Sequence, residues 1–140
     1  MWCLIMTERQ PLSQEDVLAL FEREFSFIKN RFSVHTIPLR EASENNGSVV
    51  NCPGVYVFWR RDLGVIKVGK SQSNSKKRAL EHIRDNTRNN LFKMKNLAND
   101  QETVLILFNI RDKRDVHWLL SLEAFLEWNS YPVIPSGRIG

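Results

Sequence analysis

The chain has 140 residues, 42% of them hydrophobic, and a formal net charge of +4. That length fits one compact domain of the usual ~100–150 residues, and the apolar share excludes a wholly disordered chain. No apolar run reaches the roughly 18–20 residues that a membrane-crossing helix needs, so no membrane partner is expected.

The opening Met1-Trp2-Cys3-Leu4-Ile5-Met6 is apolar but has neither a basic n-region nor a small-residue cleavage site. It reads as an edge strand or a packed terminus, not as a signal peptide. Cys3, Cys52 and three scattered histidines offer no zinc spacing and no disulfide framework, so a cytoplasmic setting is expected. Ser13 stands as an N-cap before Glu15 and Asp16. Val17, Phe21, Phe25, Ile28 and Phe32 then recur at helical spacing, which predicts a helix over 14–30 whose stripe packs into the core. Pro38 and the polar stretch from Glu41 to Asn51 read as a connector. Residues 1–50 are therefore expected to form an N-terminal helical extension, packed on or linked to a main unit over 51–140.

Gly54 to Arg60 alternates and is rich in β-formers, Asp62-Leu63-Gly64 supplies a turn, and Val65 to Lys70 follows as a second strand. After the polar loop 71–75 comes a basic helix over about 76–84, with a further helix expected within 88–98. The continuous apolar run Thr103 to Phe108 predicts a strand buried on both faces. A last helix near 114–128 ends before Pro132. The expected architecture is α+β: a small three-stranded antiparallel sheet flanked by helices, with the helical extension at its N-terminus.

Charge is segregated along the chain. Between Arg60 and Lys95 stand eleven basic residues against three acids (Asp62, Glu81 and Asp85), while the remainder holds nine basic and thirteen acidic residues. Such a segment points either to a surface that meets phosphates or to a solvated basic face with no partner. If the hairpin turn is even-numbered, Phe58 pairs with Lys67 and Arg60 with Val65, which puts Tyr56 and Lys67 on one face. Arg78 and His82 lie one helical turn apart. Glu123 falls between Leu119 and Val116 on a helical wheel, inside an apolar arc that takes in Leu122 and Leu126. A carboxylate there is costly unless it meets a metal or a cation, for instance from the basic helix. Glu127, one turn on, is a reserve candidate that otherwise reads as a solvated helix residue.

These pieces resemble a known family in order. Pro53-Gly54-Val55-Tyr56 matches the first half of the motif that names the GIY-YIG nucleases, and Ile66-Lys67-Val68-Gly69-Lys70 looks like the second half. Lys76-Lys77-Arg78-Ala79-Leu80-Glu81-His82 resembles the family's Lys-Lys-Arg helix with its histidine. Leu122-Glu123-Ala124-Phe125-Leu126, with Pro132 beyond, is similar to its glutamate helix and following proline. The match spans residues 53–132. Lys67 stands in place of the second motif tyrosine, the stretch from Gly69 to Arg78 is one residue longer than usual, and Pro135 replaces a frequent asparagine.

The resemblance implies a metal-dependent DNA endonuclease. Its catalytic set would be Tyr56, Lys67, Lys70, Arg78 and His82, with Glu123 holding a single Mg2+ or Mn2+ ion through oxygen. Tyr56 would activate water. A free tyrosine, with a pKa near 10, is too weakly acidic for that at neutral pH, and Lys67, Lys70 and Arg78 could supply cations that favour the phenolate. Arg60, Arg61, Lys76, Lys77, Arg84 and Arg88 would hold the DNA backbone, and a protein partner or homodimer could add specificity. Two other classes fit the same residues: a catalytically inactive nucleic-acid-binding module, and an interaction subunit whose basic surface meets an acidic protein. Trp59 reads as a core or rim aromatic, with base stacking as its alternative.

Overall fold

The computed structural model describes residues 10–84, 94–97 and 100–136, without the side chains of Arg84, Lys95 and Asn96. The opening Met1–Met6 segment, Arg88 and most of the helix expected within 88–98 lie outside the described residues, apart from a 3-10 turn over Met94–Leu97.

Helix α1 (Gln14–Glu24) begins where the sequence predicts. Ser13 Oγ accepts from the Asp16 amide, and Asp16 returns a bond to the Ser13 amide, so two orphan amides of the first turn are satisfied. Regular helix stops earlier than expected. Phe25 is its C-cap and the chain tightens into a 3-10 turn over Ser26–Arg31. This keeps Val17, Phe21, Phe25, Ile28 and Phe32 in one buried cluster while turning the backbone into a strand.

That strand, β1 (Phe32–Pro38), is the main departure from the sequence reading. The first fifty residues are not a purely helical extension, because β1 pairs antiparallel with β4 (Val104–Ile110) at the sheet's edge. A short helix α2 (Leu39–Ala42) follows it. The hairpin strands β2 (Gly54–Arg60) and β3 (Gly64–Ser71) complete an antiparallel sheet of four strands, not three, in the order β1-β4-β2-β3. The alternation in Phe32–Pro38 is weak because β1 is an edge strand, with only Phe32 and Ile37 buried. The apolar run of β4 is explained by its central place, with strands on both sides and buried residues facing both layers.

The hairpin loop is odd-numbered, and of the two predicted pairs only Phe58 with Lys67 forms, while Arg60 meets Gly64 in place of Val65. Trp59 pairs with Val65, and the register then shifts so that Phe58 faces Lys67. Ile66 is the extra residue of this bulge, which restores the even register for the rest of the hairpin. Gly64 takes φ +72 at the turn, a conformation that disfavours any side chain.

Helices cover both faces of the sheet. On one, Val17 and Phe21 of α1 and Leu119, Leu122 and Leu126 of α4 (His117–Ser130) pack on Val55, Val57, Val68, Ile106 and Phe108. On the other, Ala79 and Ile83 of α3 (Ser75–Arg84) join Tyr56, Phe58, Ile66, Leu105 and Leu107. The start of α3 is pinned through a buried amide. Ser75 donates its hydroxyl to Asn109 Oδ1, and Asn109 Nδ2 donates to the Val49 carbonyl. Helix α4 ends at Tyr131, a left-handed residue with φ 52, before Pro132. The tail then runs along the free edge of β3, where the amides of Val133 and Ile134 donate to the carbonyls of Val65 and Ile66. No helix among the described residues is long and apolar enough to cross a membrane.

Candidate active site

Where β3 forms the sheet edge, residues from both faces meet. A polar cavity of about 120 Å³ is lined by Tyr56, Lys67, Val68, Gly69, Lys70, His82, Glu123 and Ser136. Five of the six residues expected at a catalytic and metal site therefore share one cavity, supplied by the hairpin, by α3 and by α4.

Tyr56 lies on β2 directly opposite Gly69 and is 2% exposed. Its ring crosses Gly69, where an added Cβ would overlap the phenol oxygen and the adjacent ring carbon. Glycine at 69 is thus required by close approach. The Tyr56 ring also stands 5.8 Å from the His82 ring, tilted by 46°, and 5.8 Å from Phe58, nearly edge-on. Tyr56 is thus packed against Gly69, His82 and Phe58 and lines the cavity.

Lys70 pairs with Val55 and so begins on the face that α4 covers. Helix α4 packs on the face of the sheet opposite Tyr56, yet its Glu123 lines the same cavity as Tyr56. Glu123 Oε1 stands 3.8 Å from Lys70 Nζ. The buried charge predicted within the apolar arc thus has a lysine of β3 as an ion-pair partner. Two ammonium groups, Lys67 and Lys70, stand with this one carboxylate in the cavity wall. The donor chemistry for a metal is a single carboxylate, and no cluster of three or more histidine, cysteine or acidic side chains exists among the described residues. One carboxylate suits a Mg2+ site completed by substrate phosphate and water, and is too few for an all-protein cage.

Arg78 is not brought to the cavity wall. It lies one turn before His82 on α3, with Nη1 3.1 Å from Glu81 Oε1. Ser136, which the sequence reading did not single out, does line the cavity, and its amide donates to Glu127 Oε2 at 2.8 Å. Nothing local in the sequence marks it, because it arrives through the tail's pairing with β3. Asn109 was missed as well, although a lone amide in an apolar strand is a signal of a buried hydrogen-bonding role. Glu127 corrects a different expectation: it is buried at 8% exposure and is not a solvated helix residue.

The cations expected at the DNA interface have different surroundings. Arg60 is held by Asp62 and Asp100, each at 2.6 Å, and these hydrogen bonds push its already high pKa higher. Lys76 is buried and donates to the Asn45 carbonyl. Lys77 and Arg61 are exposed, the first on α3 and the second at the hairpin turn. The side chain of Arg84 and all of Arg88 lie outside the described residues. Trp59 is buried and donates its indole N–H to the Leu12 carbonyl at 2.8 Å, which commits it to the core and not to base stacking. His35 pairs with Ser33 on β1, and burial, then the nearby Arg111, lowers its pKa.

No protein-family model, curated protein or solved structure matches the chain.

Proposed function

We propose that the chain is a DNA endonuclease of the GIY-YIG type that hydrolyses phosphodiester bonds at the Tyr56 cavity. The observation that carries this reading is the convergence of Tyr56, Lys67, Lys70, His82 and Glu123 on one small polar cavity. A phosphate seated there meets two ammonium groups, which attract it and stabilise the charge that develops on its oxygens. Those cations also favour the phenolate of Tyr56, which then removes a proton from the attacking water. His82, packed at the Tyr56 ring, can pass that proton to solvent, since an imidazole exchanges protons near neutral pH. Glu123 would hold one Mg2+ or Mn2+ ion. When bound, the ion neutralises phosphoryl charge and assists the leaving oxygen. Arg78, on the same flank of α3 as His82, would bring its guanidinium fork to the phosphate once DNA draws it from Glu81.

Lysine at 67 and the Lys70–Glu123 pair favour one second reading, a nucleic-acid-binding module that does not cleave. The two separate in a plasmid assay with Mg2+ or Mn2+, comparing the wild type with Tyr56→Phe and Glu123→Ala. Nicking by the wild type that is lost in both variants supports the endonuclease. Salt-dependent DNA binding with no nicking by any of the three supports the silent module, and the absence of both refutes the two readings together.

A further inference from the structure

A separate cavity of about 580 Å³ opens between Trp128, Tyr131, Pro132, Pro135 and Ser136, with Glu127 in its lining. Its two aromatic walls face solvent: Trp128 is 74% exposed and Tyr131 56%. Glu127 is the opposite, at 8% exposure. One of its carboxylate oxygens accepts from the Ser136 amide, while Oε1 is buried and has no hydrogen-bond partner among the described residues.

A buried carboxylate oxygen without a partner carries a standing cost, and proteins rarely leave one unused. Exposed aromatic faces beside a carboxylate form the recognised chemistry for an organic cation, because the ring face and the acid both attract positive charge. The volume falls within the range of small-molecule sites, about 300–1,000 Å³. A hard metal ion is a poor match, since the cup offers only one carboxylate amid apolar walls. We propose that this cup binds an alkylammonium or alkylguanidinium group, with the stem against Trp128, Tyr131 and the prolines and the charged head beside the Glu127 carboxylate. The proposal is independent of the chemistry assigned to the Tyr56 cavity. The two sites are nonetheless joined by Ser136, which lines both, so that a cation on Glu127 acts on the residue that closes one wall of the other cavity.

The test is an NMR titration of the whole chain, without DNA, using n-butylguanidinium, n-butylammonium and the neutral n-butylurea. At least one cation is expected to saturate at millimolar concentration or below, shifting the Ser136 amide and the Trp128 indole N–H together. Glu127→Gln keeps an acceptor for the Ser136 amide and is expected to weaken binding about tenfold or more. Trp128→Ala, at an exposed position that leaves the core intact, is expected to weaken it about threefold to fivefold. A short arginine-containing peptide that binds more tightly than n-butylguanidinium would mark the source as a partner polypeptide, and equal affinity would mark a free small cation. Equal binding of n-butylurea would overturn the proposal in favour of a merely apolar patch. So would affinity within twofold of wild type in Glu127→Gln, or the absence of saturable shifts.

Discussion

The two ends of the β2–β3 hairpin carry similar charges and do different work. At the turn, Arg60 lies between Asp62 and Asp100, Thr103 donates to Asp100, and Trp59 is tied to Leu12, so Arg60, Asp62 and Asp100 each have an opposite partner within hydrogen-bonding distance. At the far end, Lys67 and Lys70 stand with Glu123 around a cavity beside a buried tyrosine, and the Lys70–Glu123 pair is loose at 3.8 Å. The first arrangement is closed and ties Asp100 and Thr103 to the hairpin. The second leaves more positive than negative charge around an opening at the sheet edge. A count of basic residues treats the two ends alike, whereas geometry separates a structural network from a site fit for an anion.

This contrast can be broken most sharply at Tyr56. Tyr56→Phe removes one hydroxyl and is expected to reduce DNA cleavage by about 10²–10⁴-fold, the usual range for a positioned proton-transfer group. Gly69→Ala attacks the same end through packing. The new methyl overlaps the Tyr56 phenol, so the ring or the strand must move, and a loss of about 1–3 kcal/mol is expected in denaturant unfolding together with reduced cleavage.

The turn end is expected to answer only in stability. Burial would raise the Asp100 pKa, but hydrogen bonds from the Glu102 amide, Arg60 and Thr103 outweigh it and hold the carboxyl below its ordinary value. Its contribution is therefore present above the unfolded pKa of about 4 and is lost as pH falls through the depressed folded value. Asp100→Ala is expected to cost about 1–2 kcal/mol at neutral pH, with the difference from wild type shrinking below pH ~4, and to leave cleavage per folded molecule unaltered. The smallest effect is reserved for an exposed cation. Lys77→Ala is expected to weaken DNA binding a few-fold and to lower the slope of log affinity against log salt by about one, with no loss of cleavage at saturating protein.

Much of this was legible in the sequence because local rules decide it. The Ser13 N-cap, the buried Phe21–Phe25–Phe32 stripe and a strand β4 buried on both faces follow from short-range patterns. Strand β1 was hidden because an edge strand buries too little to alternate. The hairpin loop had odd length, yet the bulge at Ile66 restored the pairing on which the shared face of Tyr56 and Lys67 depends. The cavity was legible as a set of residues but not as a shape. Glu123 comes to it from α4 and Ser136 from the tail paired with β3, both by long-range packing that no spacing encodes. Arg60 and Lys76 show the converse, since nothing local distinguishes a cation with buried partners from one that faces a ligand.

The account rests on phosphodiester hydrolysis at the Tyr56 cavity, and a paired measurement on one protein preparation tests it: single-turnover plasmid cleavage in Mg2+ alongside DNA affinity, for wild type and Tyr56→Phe. The account predicts cleavage by the wild type, its near-complete loss in the variant, and DNA affinities within about twofold of each other, since one hydroxyl adds little to a binding energy dominated by backbone charge. Cleavage that persists in Tyr56→Phe, or a wild type that binds DNA and never cuts it, would contradict it.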